Sequence, residues 1–157
     1  QQRSIPCMRI IRQPHLLFIL GNKRIERLEN RNKLFDKRLP LATVKGDIHD
    51  IGKNIVKVLL ENYSFEVVDL GKDVPPETIV DTVVAQQIRL VGLSALMTTT
   101  VVSMEETIRQ LREKAPWCKV MVGGAVLNQE YADMIGADFY GKDAMQSVYY
   151  AQGLLQQ

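Results

Sequence analysis

From Leu39 onward, short runs of β-branched and other apolar residues alternate with longer stretches in which apolar residues recur every three or four positions. The first pattern is typical of buried strands and the second of helices with one apolar face. The helical spacing is clearest at Val101, Met104, Ile108 and Leu111, and it suits a helix that packs against a sheet. The chain therefore predicts a regular succession of strands and helices.

This succession contains five strands and five helices. The predicted strands are Leu39–Val44, Phe65–Asp69, Leu90–Ser94, Lys119–Gly123 and Asp138–Tyr140. The predicted helices are Lys53–Asn62, Pro76–Gln87, Val101–Lys114, Gln129–Ile135 and a last one that Asp143 caps and that runs toward Leu155. Strict alternation predicts an α/β fold, a parallel sheet with helices on both faces. With five strands, the flavodoxin-like (Rossmann-like) order 2-1-3-4-5 is the topology that we predict.

That topology indicates where a ligand would bind. In such sheets ligands lie beyond the carboxyl ends of the strands, where the strand order reverses between the first and third strands. The loops that would meet there are Lys45–Gly52, Ala95–Thr100 and the turn at Gly123–Gly124. We therefore expect the functional residues in these three segments.

Composition describes an ordinary globular chain of 157 residues, of which 46% are hydrophobic and 24% charged. These values exclude a largely disordered chain and a disulfide scaffold. The longest apolar run near the amino end, Leu16–Leu20, is too short to span a bilayer, and no small-residue cleavage site follows it. Cys7 and Cys118 fit no zinc spacing. We expect reduced thiols in a cytoplasmic protein that has no membrane partner.

Charge divides the chain near Pro40. Residues 1–40 hold ten Lys/Arg and three Asp/Glu, whereas residues 41–157 hold ten and fifteen, so a net of +7 precedes a net of −5. We interpret residues 1–40 as a basic linker or an incomplete helical element, with Ile25, Leu28 and Phe35 along one side of a short helix, and residues 41–157 as the folded domain. A basic stretch can bind nucleic acid. No helix-turn-helix pattern supports that reading, and nucleic acid is not an expected partner.

The sharpest chemical signal is the loop Asp47-Ile48-His49-Asp50-Ile51-Gly52. An imidazole at the ligand edge can act as an acid, a base or a metal ligand. A carboxylate two residues earlier can accept the proton of one ring nitrogen and leave the other free for a metal. Gly52 lets a ligand approach the backbone. One histidine does not hold a free metal ion. The spacing alone therefore leaves a capping or exposed histidine open, and a metal here would need other ligands.

The sequence around this loop resembles a known family. Residues 42–56, ATVKGDIHDIGKNIV, closely resemble the cobalamin-binding domain of methionine synthase and related corrinoid proteins. Three later segments agree with it: VVDLGKDVP at 67–75, GLSAL at 92–96 and VGGA at 122–125. The resemblance covers about residues 41–150. Segments 94–100 and 135–138 are most similar to corrinoid proteins of the methanogen and acetogen methyltransferase systems.

The resemblance implies that the cofactor is cobalamin or a related corrinoid. His49 would be the lower axial ligand of its cobalt, in place of the cofactor's own dimethylbenzimidazole base (base-off, His-on). Asp47 would hydrogen-bond His49, and Thr100 would complete this relay where the family has a serine.

The remaining residues of the motifs are implied to hold the cofactor as well. Ser94 and Thr98 would line the slot for the displaced nucleotide tail, and Gly123 and Gly124 would let the tail pass close to the backbone. The other residues expected to bind the cofactor are Asp50, Ile51, Gly52 and Leu96.

The function that the resemblance implies is that of a methyl carrier, in which cobalt cycles between Co(I) and methyl-Co(III). Its partners would be a substrate-specific methyltransferase, a methyl-accepting methyltransferase and, as a further candidate, a reductive activator. The chain would then be a cofactor-carrying subunit rather than a complete enzyme.

Three alternatives stay open: the B12-binding subunit of an adenosylcobalamin-dependent mutase, a cobalamin-responsive regulator, and a corrinoid storage or delivery protein. One departure from the family is expected to matter. Related carriers place a longer helical bundle before this domain, and residues 1–40 are too short for it and do not resemble it.

Overall fold

A computed structural model describes residues 37–155 of the chain. The helix face predicted at Ile25, Leu28 and Phe35 lies outside the described residues, as do Cys7 and almost all of the basic segment 1–40. Among the described residues, no helix combines the length and the apolar character needed to cross a bilayer.

Five strands and five helices alternate through the described residues, as predicted. The strands are β1 (Arg38–Val44), β2 (Glu66–Val74), β3 (Leu90–Ser94), β4 (Lys119–Gly123) and β5 (Phe139–Tyr140). The helices are α1 (Ile51–Asn62), α2 (Pro76–Gln86), α3 (Val101–Lys114), α4 (Gln129–Met134) and α5 (Ala144–Leu155), and a short 3-10 turn at Thr98–Thr100 precedes α3. All strand pairs are parallel, and the order β2-β1-β3-β4-β5 confirms the flavodoxin-like topology.

Alternation along the strands divides the core between the two faces of the sheet. Leu39 and Leu41 of β1 pack with α1 and α5, whereas Ala42 and Val44 pack with α2, α3 and α4. The four apolar positions predicted for α3 are all buried. Near the end of the α1/α5 face, the rings of Phe139 and Tyr150 are stacked with their centroids 4.3 Å apart. Side chains from both β5 and α5 therefore close this face.

Strand β2 is longer than predicted. It continues past the expected end at Asp69 to Val74, and its pairing with β1 shifts twice, so that Ala42 lies opposite Gly71 and Val44 opposite Val74. Such shifts mark β-bulges, which bend a strand without ending it. The segment has the glycine and polar residues of a loop, and hydrophobic periodicity therefore predicted a strand that stopped too early.

Helix α1 also differs from the prediction. It begins at Ile51 rather than Lys53. The prediction started too late because Ile51 and Gly52 are exposed, and the apolar pattern does not mark them as part of a buried face. The predicted cap of α5 is confirmed, since Asp143 Oδ1 accepts the N–H of Gln146 at 2.8 Å. The other boundaries agree with the predictions to within one residue.

The one cysteine within the described residues, Cys118, is buried beside β4. Burial raises the pKa of its thiol to about 12. Because only the thiolate is strongly nucleophilic, Cys118 is an inert part of the core.

Candidate functional site

The three loops predicted to carry function meet at the carboxyl edge of the sheet. Asp47 Oδ2, in the loop after β1, accepts the N–H groups of Leu96 and Met97, in the loop after β3, at 2.6 and 3.3 Å. The N–H of Ala95 in turn donates to the carbonyl of Gly123, at the end of β4, at 3.2 Å. Backbone and carboxylate hydrogen bonds therefore join the loops into one surface.

Asp47 is fully buried at the centre of this surface. Besides the two N–H groups from the loop after β3, it accepts the N–H of His49 on Oδ1 at 3.0 Å and the hydroxyl of Thr100 on Oδ2 at 2.9 Å. Burial alone would raise the pKa of this carboxyl, but the donors, led by the N–H groups of Leu96 and His49, hold the pKa well below its usual range. Asp47 is therefore an ionised acceptor.

His49 is oriented by this carboxylate. Its Nδ1 lies 2.8 Å from Asp47 Oδ1, and an ionised carboxylate can only accept, so Nδ1 carries the proton. The neutral imidazole then keeps its lone pair on Nε2. The side chain is 45% exposed. His49 can therefore offer one nitrogen to a ligand while its other nitrogen stays bonded within the protein.

Thr100 is buried, and its hydroxyl has two acceptors within reach. Its Oγ1 lies 2.9 Å from Asp47 Oδ2 and 2.8 Å from the carbonyl oxygen of Met97. A hydroxyl has a single proton, so it can donate fully to only one of them at a time. The predicted Asp47–His49–Thr100 chain of hydrogen bonds is present in the structure.

The loops that hold His49 expose several apolar side chains. Ile48, Ile51 and Leu96 are 63%, 77% and 39% exposed. Contiguous apolar side chains left in solvent commonly mark a surface that a ligand or partner covers. Asp50 lies among them, half-buried, and its side chain does not cap α1.

A cavity of about 580 Å³ opens at the same edge, on the α1/α5 face of the sheet. Its size is that of an ordinary small-molecule site. Gly52, Ser94, Gly123 and Gly124 line it, and the last three are residues that the resemblance implies for the tail slot. Thr98 does not line it and is exposed in the 3-10 turn.

Two glycines of the cavity wall allow close packing that a side chain would prevent. A Cβ at Gly92 would meet the side chain of Leu41 and lie 2.9 Å from Cε of Met121, and these two side chains also line the cavity. At Gly124, where φ is +144°, a Cβ would collide with the carbonyl of Ala95. Larger residues would therefore close the cavity or separate the loops.

Several lining residues were missed in the sequence. They come from α1, from the end of β5 and from the first turns of α5: Lys53, Tyr140, Gly141, Lys142 and Ser147. Ser147 is 8% exposed. The carboxyl end of β5 reaches the same edge as the ends of β1 and β3, and this could have directed attention to residues 140–147.

The far end of β2 is attached to the loop of His49. Asp73 Oδ1 accepts the N–H of Gly46 at 2.7 Å, and the N–H of Asp73 donates to the carbonyl of Asp47 at 3.0 Å. Four residues earlier, Asp69 forms an ion pair with Lys53 in the first turn of α1.

Asp69 has further partners. Lys57 Nζ lies 3.1 Å from its Oδ2, and the N–H of Gly71 donates to its Oδ1 at 3.0 Å. Burial opposes ionisation of this carboxyl, but these partners, led by Lys53, hold its pKa at about 2. The ammonium of Lys53 is almost completely buried, so this pair joins α1 firmly to β2.

Comparison with known proteins gives one family and several relatives. Residues 37–149 match the family model described as B12 binding domain. The chain is 46% identical over 116 residues to dimethylamine corrinoid protein 2 of Methanosarcina mazei, a match that covers 73% of this chain and 54% of that protein. The chain therefore spans about half the length of the curated relatives that it matches.

Two solved structures are similar to it throughout the sheet. One is a novel cobalamin-binding protein from Desulfitobacterium hafniense, with 40% identity and a TM-score of 0.72 over 74% of this chain and 58% of that one. The other is the methanol:cobalamin methyltransferase complex of Methanosarcina barkeri, with 33% identity and a TM-score of 0.73 over 76% of this chain and 46% of that one.

Proposed function

Because this chain belongs to the family of B12-binding domains, we propose that it is a methyl carrier of a corrinoid-dependent methyltransferase system. Its cofactor is cobalamin or a related corrinoid, as the sequence predicted. We further propose that the cofactor would be held base-off, with Nε2 of His49 as the ligand that the chain would supply to cobalt. When bound, a corrinoid supplies a cobalt that can accept a methyl group from a donor and release it to an acceptor.

The orientation of His49 is the observation that carries this proposal. Asp47 holds the proton on Nδ1 of the half-exposed side chain and leaves the lone pair on Nε2, which is the nitrogen that a metal would take. In residues 37–155 no three His, Cys, Asp or Glu side chains come together as a metal site. A macrocycle that brings its own equatorial nitrogens fits this single donor.

The surroundings of His49 fit the rest of a corrinoid. Ile48, Ile51 and Leu96 provide an apolar surface for the flat macrocycle. The cavity beside them is lined by backbone at Gly123 and Gly124, and it provides space for a displaced nucleotide tail. We assign Ser94 to the wall of that slot, and we assign Asp50 and Gly52 to its rim. Thr98 remains a predicted contact on the exposed turn.

Asp47 holds the imidazole proton of His49 on Nδ1, and in the bound state it would keep Nε2 directed at the cofactor's cobalt. Thr100 can direct its hydroxyl proton either to Asp47 or to the carbonyl of Met97, and so it can add or remove one hydrogen bond to the carboxylate.

We propose that the chain acts with separate enzymes and is a cofactor-carrying subunit. One similar structure is a methanol:cobalamin methyltransferase complex, and one relative is a dimethylamine corrinoid protein. These support a substrate-specific methyltransferase as donor partner. A methyl-accepting methyltransferase and a reductive activator complete the proposed set.

The test is an absorption spectrum of the purified chain mixed with methylcobalamin. We expect stoichiometric binding and a base-off, His-on spectrum, which His49→Ala changes to His-off. His15→Ala, a substitution of the chain's other histidine, is the matched control and should behave as the parent. A parent spectrum that His49→Ala leaves unchanged would remove His49 as the ligand. A clear preference for adenosylcobalamin would favour the mutase subunit over the methyl carrier.

A further inference from the structure

We propose that Asp73 is a positioning residue for His49. It holds the backbone of the loop that carries the imidazole, and it therefore helps to set how readily Nε2 reaches cobalt. This inference rests on the proposed role of His49, and it concerns a residue that touches neither the imidazole nor the cavity.

Asp73 holds the loop at two peptide units, one on either side of the bond between Gly46 and Asp47. Its carboxylate accepts the N–H of Gly46 at 2.7 Å, and its own N–H donates to the carbonyl of Asp47 at 3.0 Å. The N–H of Asp47 closes a turn onto the carbonyl of Val44, also at 3.0 Å. The backbone that leads into Asp47 and His49 is thus tied to β1 at one point and to β2 at two.

The backbone of both partners is unusual. Asp73 has a φ of +53° and Gly46 a φ of +87°, both in the left-handed region. Such a conformation costs roughly 1–2 kcal/mol for a residue other than glycine, and it persists where the surrounding contacts require it. The two register shifts of β2 bring Asp73 beside Gly46. The bulged end of β2 is therefore shaped around the loop of His49.

A second attachment holds the other end of the same loop. Lys53 is the third residue of α1, the helix that follows the loop. Its buried ammonium pairs with Asp69 of β2. Segment 46–53 is thus fixed to β2 at its start through Asp73 and at its end through Lys53. These two attachments restrict movement of the His49 backbone relative to the sheet.

The test compares two variants that both suit a positive φ. Asp73→Asn keeps an oxygen for the N–H of Gly46, whereas Asp73→Gly removes the acceptor without adding strain. The chain also supplies a control, Ser64→Gly, which makes the same change at φ +66°, just beyond the far end of α1. Each variant is loaded with methylcobalamin, and the ratio of His-on to His-off absorption is measured at one pH, with His49→Ala as the His-off standard.

We expect Asp73→Asn and Ser64→Gly to keep the parent ratio, and Asp73→Gly to lower it about threefold to tenfold, as the loss of one ordinary hydrogen bond implies. In cofactor-free protein, exchange of the Gly46 amide should become faster in Asp73→Gly. The core amide of Val91 should stay protected, which shows that the variant is folded.

Two outcomes would overturn the inference and leave the role of His49 intact: an unchanged ratio in Asp73→Gly, or an equal loss in Asp73→Asn. A lower melting temperature of Asp73→Gly at an unchanged ratio belongs to the first outcome and indicates a role in stability alone. A parent protein without a His49–cobalt spectrum would instead overturn the proposed function, and this inference with it.

Discussion

The N–H of Leu96 donates to Oδ2 of Asp47 at 2.6 Å, although the two residues lie 49 positions apart. This bond makes the loop after β3 part of the support of His49, because the other oxygen of the same carboxylate holds the imidazole. The loops on both sides of the strand-order reversal therefore share one buried charge.

Asp47→Asn tests that shared charge. The side chain of asparagine has one oxygen and one NH₂ group in place of the two carboxylate oxygens. Donors bond to both oxygens of Asp47, so in the variant at least one N–H or the hydroxyl of Thr100 would face the NH₂ group and lose its acceptor. We expect a loss of about 1–3 kcal/mol in the free energy of unfolding and a lower His-on fraction with methylcobalamin. Urea unfolding and the absorption spectrum measure the two effects. Asp81→Asn, on the exposed side of α2, is the matched control, and equal effects in both variants would contradict the assignment.

The pH dependence of stability follows from the lowered pKa values of Asp47 and Asp69. A carboxyl whose pKa is lower in the folded state stabilises the fold above its unfolded pKa of about 4 and loses that contribution as the pH falls toward the folded value. With a folded pKa of about 2, Asp69 contributes about 2 kcal/mol that is lost between about pH 4 and pH 2.

Urea unfolding between pH 7 and pH 3 measures this dependence. Stability should stay level down to about pH 5 and then fall, and Asp69→Asn should make the fall smaller. Asp69→Asn should also lower stability at pH 7, since it leaves the buried Lys53 with a neutral partner. Asp81→Asn, on the exposed side of α2, should retain the parent profile. A profile for Asp69→Asn as steep as that of the parent would contradict the prediction.

Gly52→Ala is expected to act on folding and on binding with opposite signs. A Cβ at Gly52 meets nothing within 4 Å, so alanine in the first turn of α1 should stabilise the cofactor-free chain by about 0.5–1 kcal/mol. The same methyl enters the cavity wall and should weaken binding of methylcobalamin.

Gly153→Ala provides the control for Gly52→Ala. Gly153 lies in α5, its Cβ would also meet nothing within 4 Å, and it does not line the cavity. Alanine there should stabilise the chain and leave the affinity unchanged, as thermal unfolding and spectral titration will measure. Unaltered affinity in Gly52→Ala would mean that the cofactor does not approach the start of α1.

Ser147→Val tests whether the cavity receives the nucleotide tail. Ser147 is buried at the cavity wall, and valine would place two methyl groups there. We expect a loss of about tenfold or more in affinity for cobalamin and none for cobinamide, which lacks the tail. Ser103→Val, on α3 across the sheet, should change neither affinity. Equal losses for the two corrinoids would place the tail elsewhere.

The strand order was predicted from local patterns and the Asp47–His49 bond from a short motif, whereas the place of Thr100 was implied only by the resemblance to corrinoid proteins. The sequence did not predict the roles of Asp69 and Asp73. Asp69 pairs with β1 in regular register, and its contact with Lys53 depends on how α1 packs on β2. Asp73 lies in the bulged part of β2, and such register shifts leave no trace in hydrophobic periodicity.

The cavity was predicted only in part for a related reason. Ser94 and Gly123 are the last residues of β3 and β4, so topology brings them to the edge. Ser147 lies on a helix, three residues after its first residue, Ala144, and its approach to the cavity depends on how α5 packs on the sheet. No pattern within α5 distinguishes this serine from the other polar positions of the helix.

Helix α5 contributes both to the packing of the α1/α5 face and to the cavity. Its Tyr150 stacks on Phe139 of β5, and its Ser147 lines the cavity. A ligand held in that cavity is therefore thermodynamically linked to the docking of the last helix. Local unfolding of α5 would lower the affinity for such a ligand, and an occupied cavity would in turn protect the amides of α5 from local unfolding. The hydrogen-exchange rates of the α5 amides would therefore report whether the cavity is filled.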